Sequence, residues 1–164
     1  MKIQDVTLLY EYNYWATKRI LAASAKVSQE QFLTPTTHSY GSLRGTLVHT
    51  LDAERGWRMF CQHQLWTPSL AETEFPTLDL LEQRWRDEER ALFDYLAALR
   101  DDDLNRIVSY TTESEARREW ILWHCFVHVV NHGTQHRSEA AAILTTYNQS
   151  PGNLDFTVFL GERQ

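Results

Sequence analysis

The sequence is poor in the residues that break or staple a chain. Of 164 residues only 4 are Pro, 6 are Gly and 2 are Cys. Two cysteines, Cys61 and Cys125, with no CxxC pair, exclude a disulfide framework. Both fall inside apolar helical patterns, where a free thiol behaves as a small core residue. Positive charge is short as well. With 16 Lys and Arg against 22 Asp and Glu the net charge is −6, which excludes phosphate neutralisation on nucleic acid as the main activity. No apolar run approaches the roughly 18 residues of a membrane span. The N-terminus, MKIQDVTLLYEYNYWA, has no apolar run behind a positive cluster, so it does not read as a secretory signal. The expectation is a cytoplasmic protein with neither a nucleic-acid nor a membrane partner.

What is present is enough apolar residue to build a core. Hydrophobic residues make up 43% and charged residues 23%, which excludes wholesale disorder and fits one domain over residues 1–164. Aromatics reach 12%, with six Trp, which calls for a ring-heavy core or a ring-lined pocket.

Most of the Gly and Pro residues cluster at 35–45, 68–76 and 151–161, and helical periodicity fills the stretches between them. The first segment runs from Ile3 to Val27 with Val6, Leu9, Tyr10, Asn13, Tyr14, Thr17, Ile20 and Leu21 on one stripe. The second starts at Ser42 as N-cap and carries Leu43, Leu47, Leu51 and Trp57 to His63. The third opens at Thr77 and runs through Leu81, Trp85, Leu92 and Leu96 to Leu99. The fourth begins near Glu119 and continues to Tyr147. Four such segments read as an all-α four-helix bundle. The residues from Arg106 to Thr112, Glu113–Ser114 and Glu115 to Arg118 fit a short β-hairpin before the last long helix, and Asn153–Leu160 fits a short terminal helix.

Seven histidines punctuate the chain, and four of them, His124, His128, His132 and His136, form an i, i+4 ladder on the fourth segment. Residues four apart stack on one helix face, close enough for two imidazoles to reach one metal. All three adjacent pairs fit that spacing. A helical wheel separates them. Leu122, Cys125, Val129, Ala140, Ile143 and Leu144 define an apolar arc, and His136 lies about 25° from its centre and His132 about 65°. His128 and His124 lie further off, at about 105° and 145°, and are expected not to be ligands. Gly133 on the inward side leaves room for a neighbour. A third ligand from another helix is best supplied by His49, with Asp52 three residues later placed to orient it. His38 and His63 read as surface residues.

Three neutral imidazoles leave the full dipositive charge on a metal and at least one position open, the arrangement of catalytic sites. Such a centre either acidifies a water or holds a thiol as thiolate. Zinc, nickel and iron all accept three imidazoles. Trp15 and Trp57 are the candidate walls of an apolar pocket above it.

Three stretches also resemble the DinB/YfiT-like superfamily. Asn131, His132, His136 and Arg137 match the Asn-His-x-x-x-His-Arg pattern of its last long helix. His49, followed by Asp52, Glu54 and Trp57, is similar to its second helix, and Tyr12, Asn13 and Trp15 to its opening helix. The resemblance implies an up-down-down-up four-helix bundle and a divalent-metal site on His49, His132 and His136. It also implies a homodimer, with Asn131 supporting the ligand beside it. Its activities imply a transferase that uses a low-molecular-weight thiol on a small-molecule substrate. The other readings are a non-catalytic metal-binding stress-response protein and a metal-dependent hydrolase. Where family members often carry His-His-Arg-Gly-Gln, this chain has Gln135, His136, Arg137, Ser138 and Glu139, so no particular substrate is carried over.

Overall fold

The computed structural model of the chain describes residues 1–111 and 114–163. Among these, six α-helices and one two-stranded antiparallel sheet are present: α1 (Ile3–Ser24), α2 (Gln29–Leu33), α3 (Leu43–His63), α4 (Leu78–Ala97), β1 (Ile107–Thr111), β2 (Arg117–Ile121), α5 (Leu122–Thr146) and α6 (Phe156–Glu162). The protein is mostly helical. No helix among the described residues is long and apolar enough to cross a membrane.

Each long helix forms where apolar residues recur every three or four positions. Val6, Tyr10, Asn13, Thr17 and Ile20 of α1 are fully buried, as are Leu43, Leu47 and Leu51 of α3 and Leu81, Trp85, Leu92 and Leu96 of α4. Helix α3 starts where Ser42 Oγ accepts the Gly45 amide at 2.9 Å. Helix packing runs α1 on α5, α5 on α3, α3 on α4 and α4 on α1.

A buried polar chain joins these four helices at mid-height. Arg137 on α5 donates to Asn13 Oδ1 on α1, and Asn13 Nδ2 donates to Glu54 Oε1 on α3 at 2.8 Å. Trp85 Nε1 on α4 donates to the other Glu54 oxygen at 2.9 Å. Buried polar groups must find partners, so this chain fixes how the helices face one another. Gly133 makes room for it: a Cβ there would lie 2.6 Å from Arg137 Nη1 and 2.8 Å from Asn13 Oδ1.

The hairpin pairs Val108 with Trp120 and Tyr110 with Arg118. Its first strand is anchored by Arg106, whose guanidinium donates to the Cys61 carbonyl and the Tyr95 hydroxyl. Strand β2 occupies Glu119–Ile121, where the periodicity predicts the start of the last helix. The β1 main chain claims those residues for ladder hydrogen bonds. Thr112 and Glu113, which the sequence places in the hairpin, lie outside the described residues. The short helix α2, capped by Ser28, has too few residues for a periodic signal.

Candidate metal centre

His49 on α3 and His132 and His136 on α5 face one another across the α3–α5 contact. Nε2 of His132 lies 3.1 Å from Nε2 of His49 and 3.2 Å from Nε2 of His136. The ligand atoms of all three lie within 4.8 Å of one another. A metal bonded to two such nitrogens at about 2.1 Å would see them at an angle of about 97°, between the octahedral and tetrahedral values. The donor set therefore fits a divalent ion.

The orientation of His136 has a visible cause. Its Nδ1 sits 2.9 Å from Glu139 Oε2, so Nδ1–H donates to the carboxylate and the Nε2 lone pair is left facing the other rings. Glu139 also accepts from Ser39 at 3.4 Å. Burial, followed by the neighbouring His136, His49 and His128, pushes the His132 imidazolium down to about 4. Burial and then His136 lower His49 as well. Both rings are neutral at neutral pH, and neutral imidazole is the form that binds a metal.

Tyr40 covers one side of this cluster. Its ring stacks on His49 at 3.6 Å between centroids and 12° between planes, and meets His136 edge-on at 5.2 Å. The turn carrying it is pressed onto α3 at Gly45, where a Cβ would sit 2.0 Å from the Tyr40 carbonyl oxygen. Gly41, with φ of 70°, completes the turn.

Several residues singled out by sequence lie elsewhere. Asp52 turns away from His49: its Oδ1 accepts the Leu70 amide at 2.9 Å and lies 4.0 Å from Arg55, so it tethers the loop after α3. Asn131 is exposed and makes no hydrogen bond to the three rings; it lies on the outward side of α5. Trp15 stacks on Tyr12, packs on Phe159 and donates to Glu162 at 3.0 Å, which places it in the α1–α6 seam. Trp57 is half-buried on α3 and stands 4.8 Å from the His128 ring. His124 and His128 are exposed and belong to no ligand group among the described residues.

Two participants escape a sequence reading. Glu139 carries the signal of i, i+3 spacing from His136, but so do many solvated acids. Tyr40 sits in a loop, where no periodicity points inward. The thiols of Cys61 and Cys125 interact across the α3–α5 seam, and that contact together with burial holds Cys61 above the ordinary thiol range.

Comparison with known proteins bears on what this cluster is for. The family model described as the DinB family matches residues 2–163. Protein DinB of Bacillus subtilis (strain 168) is 24% identical over 160 residues, covering 93% of this chain and 91% of that protein.

Proposed function

The chain belongs to the DinB family, and from that premise we propose that it is a divalent-metal protein with His49, His132 and His136 as ligands. We read it as a metal-dependent transferase that uses a low-molecular-weight thiol on a small-molecule substrate. The observation that carries the metal reading is the approach of three imidazole nitrogens to 3.1 and 3.2 Å, around a central His132 that burial keeps neutral. One neutral ring can donate only one hydrogen, so these contacts alone leave lone pairs facing each other in a half-buried site. A divalent ion satisfies all three.

When bound, the ion supplies a positive centre at which a thiol or a water gives up its proton near neutral pH. The protein's own part is to hold the three rings. Glu139 fixes the His136 tautomer, Tyr40 backs His49, and the Arg137–Asn13–Glu54 chain keeps α5 in register with α1 and α3. The thiol reading rests on the family resemblance; both cysteines of the chain are buried, which favours an external nucleophile. Zinc, nickel and iron all suit the donor set. A hydrolase using metal-bound water is the alternative with the same donor set. A non-catalytic metal-binding stress protein is the other alternative, with the metal held but no turnover.

The packing of α1 on α5, α5 on α3, α3 on α4 and α4 on α1 supports an up-down-down-up bundle forming one domain. A cytoplasmic homodimer completes the proposal. Elemental analysis of protein purified without an affinity tag tests the metal reading: about one equivalent of a transition metal per chain is expected, and none after His136→Ala. Light scattering at micromolar concentration tests the dimer, and a monomer mass there overturns it. Turnover of electrophiles with added thiols, and none with water alone, separates transferase from hydrolase.

A further inference from the structure

One hollow of the molecule has no place in the metal chemistry. It measures about 400 Å³ and is lined by Trp57 of α3, Trp120 of β2, and His124, Cys125 and His128 of α5. His128 is one helical turn, about 6 Å of axial rise, from His132, and the two rings are 5.9 Å apart between centroids. The hollow therefore opens beside the histidine cluster. We propose that it is the subsite for the uncharged, ring-bearing part of a small-molecule ligand. Placing that ligand as the substrate rests on the metal reading above; the binding itself does not.

The walls argue for a ring. Trp57 and Trp120 stand 5.6 Å apart with planes at 76°, so they present a face and an edge to one space. Each also packs against further rings. Phe60 stacks on Trp66 at 4.8 Å with planes 4° apart, and both contact Trp57 at 5.9 and 5.1 Å. Tyr110, stacked on Trp120 at 5.7 Å, closes the set. Two wall rings packed against three others lose little freedom when a ligand arrives, which favours binding.

Ordinary core packing does not account for these rings. The core side chains Phe60 and Phe126 are 0% and 2% exposed, whereas Trp57 and Trp120 are only half-buried around an open space. That volume lies in the range of small-molecule pockets. No Lys, Arg, Asp or Glu lines it, so a charged ligand would meet no counter-ion. Its polar groups include the two exposed imidazoles, for which no hydrogen bond to another described residue is seen. They suit a carbonyl or hydroxyl on the ring.

The test uses 4-nitrobenzyl alcohol as neutral probe, titrated into the full chain with tryptophan fluorescence and indole NH chemical shifts as readouts. Saturable binding is expected, with the Trp57 and Trp120 signals shifting most. Trp120→Ala, on the hairpin, should weaken it at least tenfold, as should Trp57→Ala, whereas Trp15→Ala should change nothing. Benzoate and benzyltrimethylammonium should bind at least tenfold more weakly. Equal binding in Trp120→Ala, or stronger binding of either ion, overturns the proposal. Binding should survive in His136→Ala, because no lining residue is a proposed ligand; wild-type protein that binds the probe but holds no metal would end the metal reading alone. In cobalt-loaded protein the probe's protons should relax faster than in the zinc form, and equal relaxation would show the subsite is not beside the metal.

Discussion

The phenol ring of Tyr40 lies flat on the imidazole of His49, 3.6 Å away and 12° from parallel. A ring so placed limits how His49 can swing, although the two residues belong to a loop and a helix. The contact depends on Gly45, because only a residue without Cβ lets the Tyr40 carbonyl approach α3 so closely. Gly45→Ala should lift the turn, lower stability by about 1–3 kcal/mol as overpacked sites do, and weaken metal binding at least tenfold. Tyr40→Phe should keep wild-type affinity and Tyr40→Leu should not. Chelator-competition titrations measure all three, and a loss in Tyr40→Phe would assign the effect to the hydroxyl instead of the stack.

His136 carries both a metal-facing nitrogen and a carboxylate-facing one. Glu139→Gln should therefore reduce metal affinity about 10–100-fold, the usual effect of removing such a partner, while His136→Ala should remove metal altogether. His124→Ala and His128→Ala should retain it. Metal content per chain by mass spectrometry decides, and equal loss across the ladder would mean that a different pair of rungs holds the ion.

Much of this arrangement is legible before any coordinate is known, for physical reasons that also mark where legibility stops. Helix periodicity reports which residues face inward, so the wheel turns His136 and Gly133 toward the interior, where both lie buried. It does not report where a flexible side chain ends. Asp52 and Asn131 share the right helices with His49 and His132, yet one reaches the Leu70 amide and the other faces solvent. Tyr40 and Trp120 act through loop and hairpin geometry, which hydrophobic patterning does not encode. The β2 strand takes the residues expected to begin the last helix because its partner strand offers hydrogen bonds that a local pattern cannot foresee.

Asn13 is the bridge between a buried cation and a buried acid. It accepts from Arg137 and donates to Glu54, and all three are almost wholly enclosed. Asn13→Leu should leave Arg137 Nη1 and one carboxylate oxygen without a partner and lower stability by about 2–6 kcal/mol, about 1–3 for each buried group so orphaned. Above pH 7, where Glu54 is ionised, Asn13→Asp should fall between, because its oxygen still accepts from Arg137 but it cannot donate to Glu54. Urea denaturation of the two variants checks the order, and a mild loss in Asn13→Leu would show that the chain is not structurally important.

Glu54 makes the last prediction, which concerns pH. Burial raises its carboxyl from 4.5 to about 7, against the pull of the Asn13, Arg137 and Trp85 contacts. A folded-state value above the unfolded one means the native protein holds the proton longer than the unfolded chain does. The stabilisation this group contributes is thus full below pH 4.5 and is lost as pH rises through 7. At about 1.4 kcal/mol per unit the loss is about 3 kcal/mol. Glu54→Gln cannot titrate, so its stability relative to wild type should improve by that amount between pH 4.5 and pH 8. An offset should persist at every pH, because the amide cannot accept from both Asn13 and Trp85. Parallel urea curves at five pH values give the difference directly. A difference that stayed constant would show Glu54 to be ionised throughout, with the Arg137–Asn13 chain holding it so.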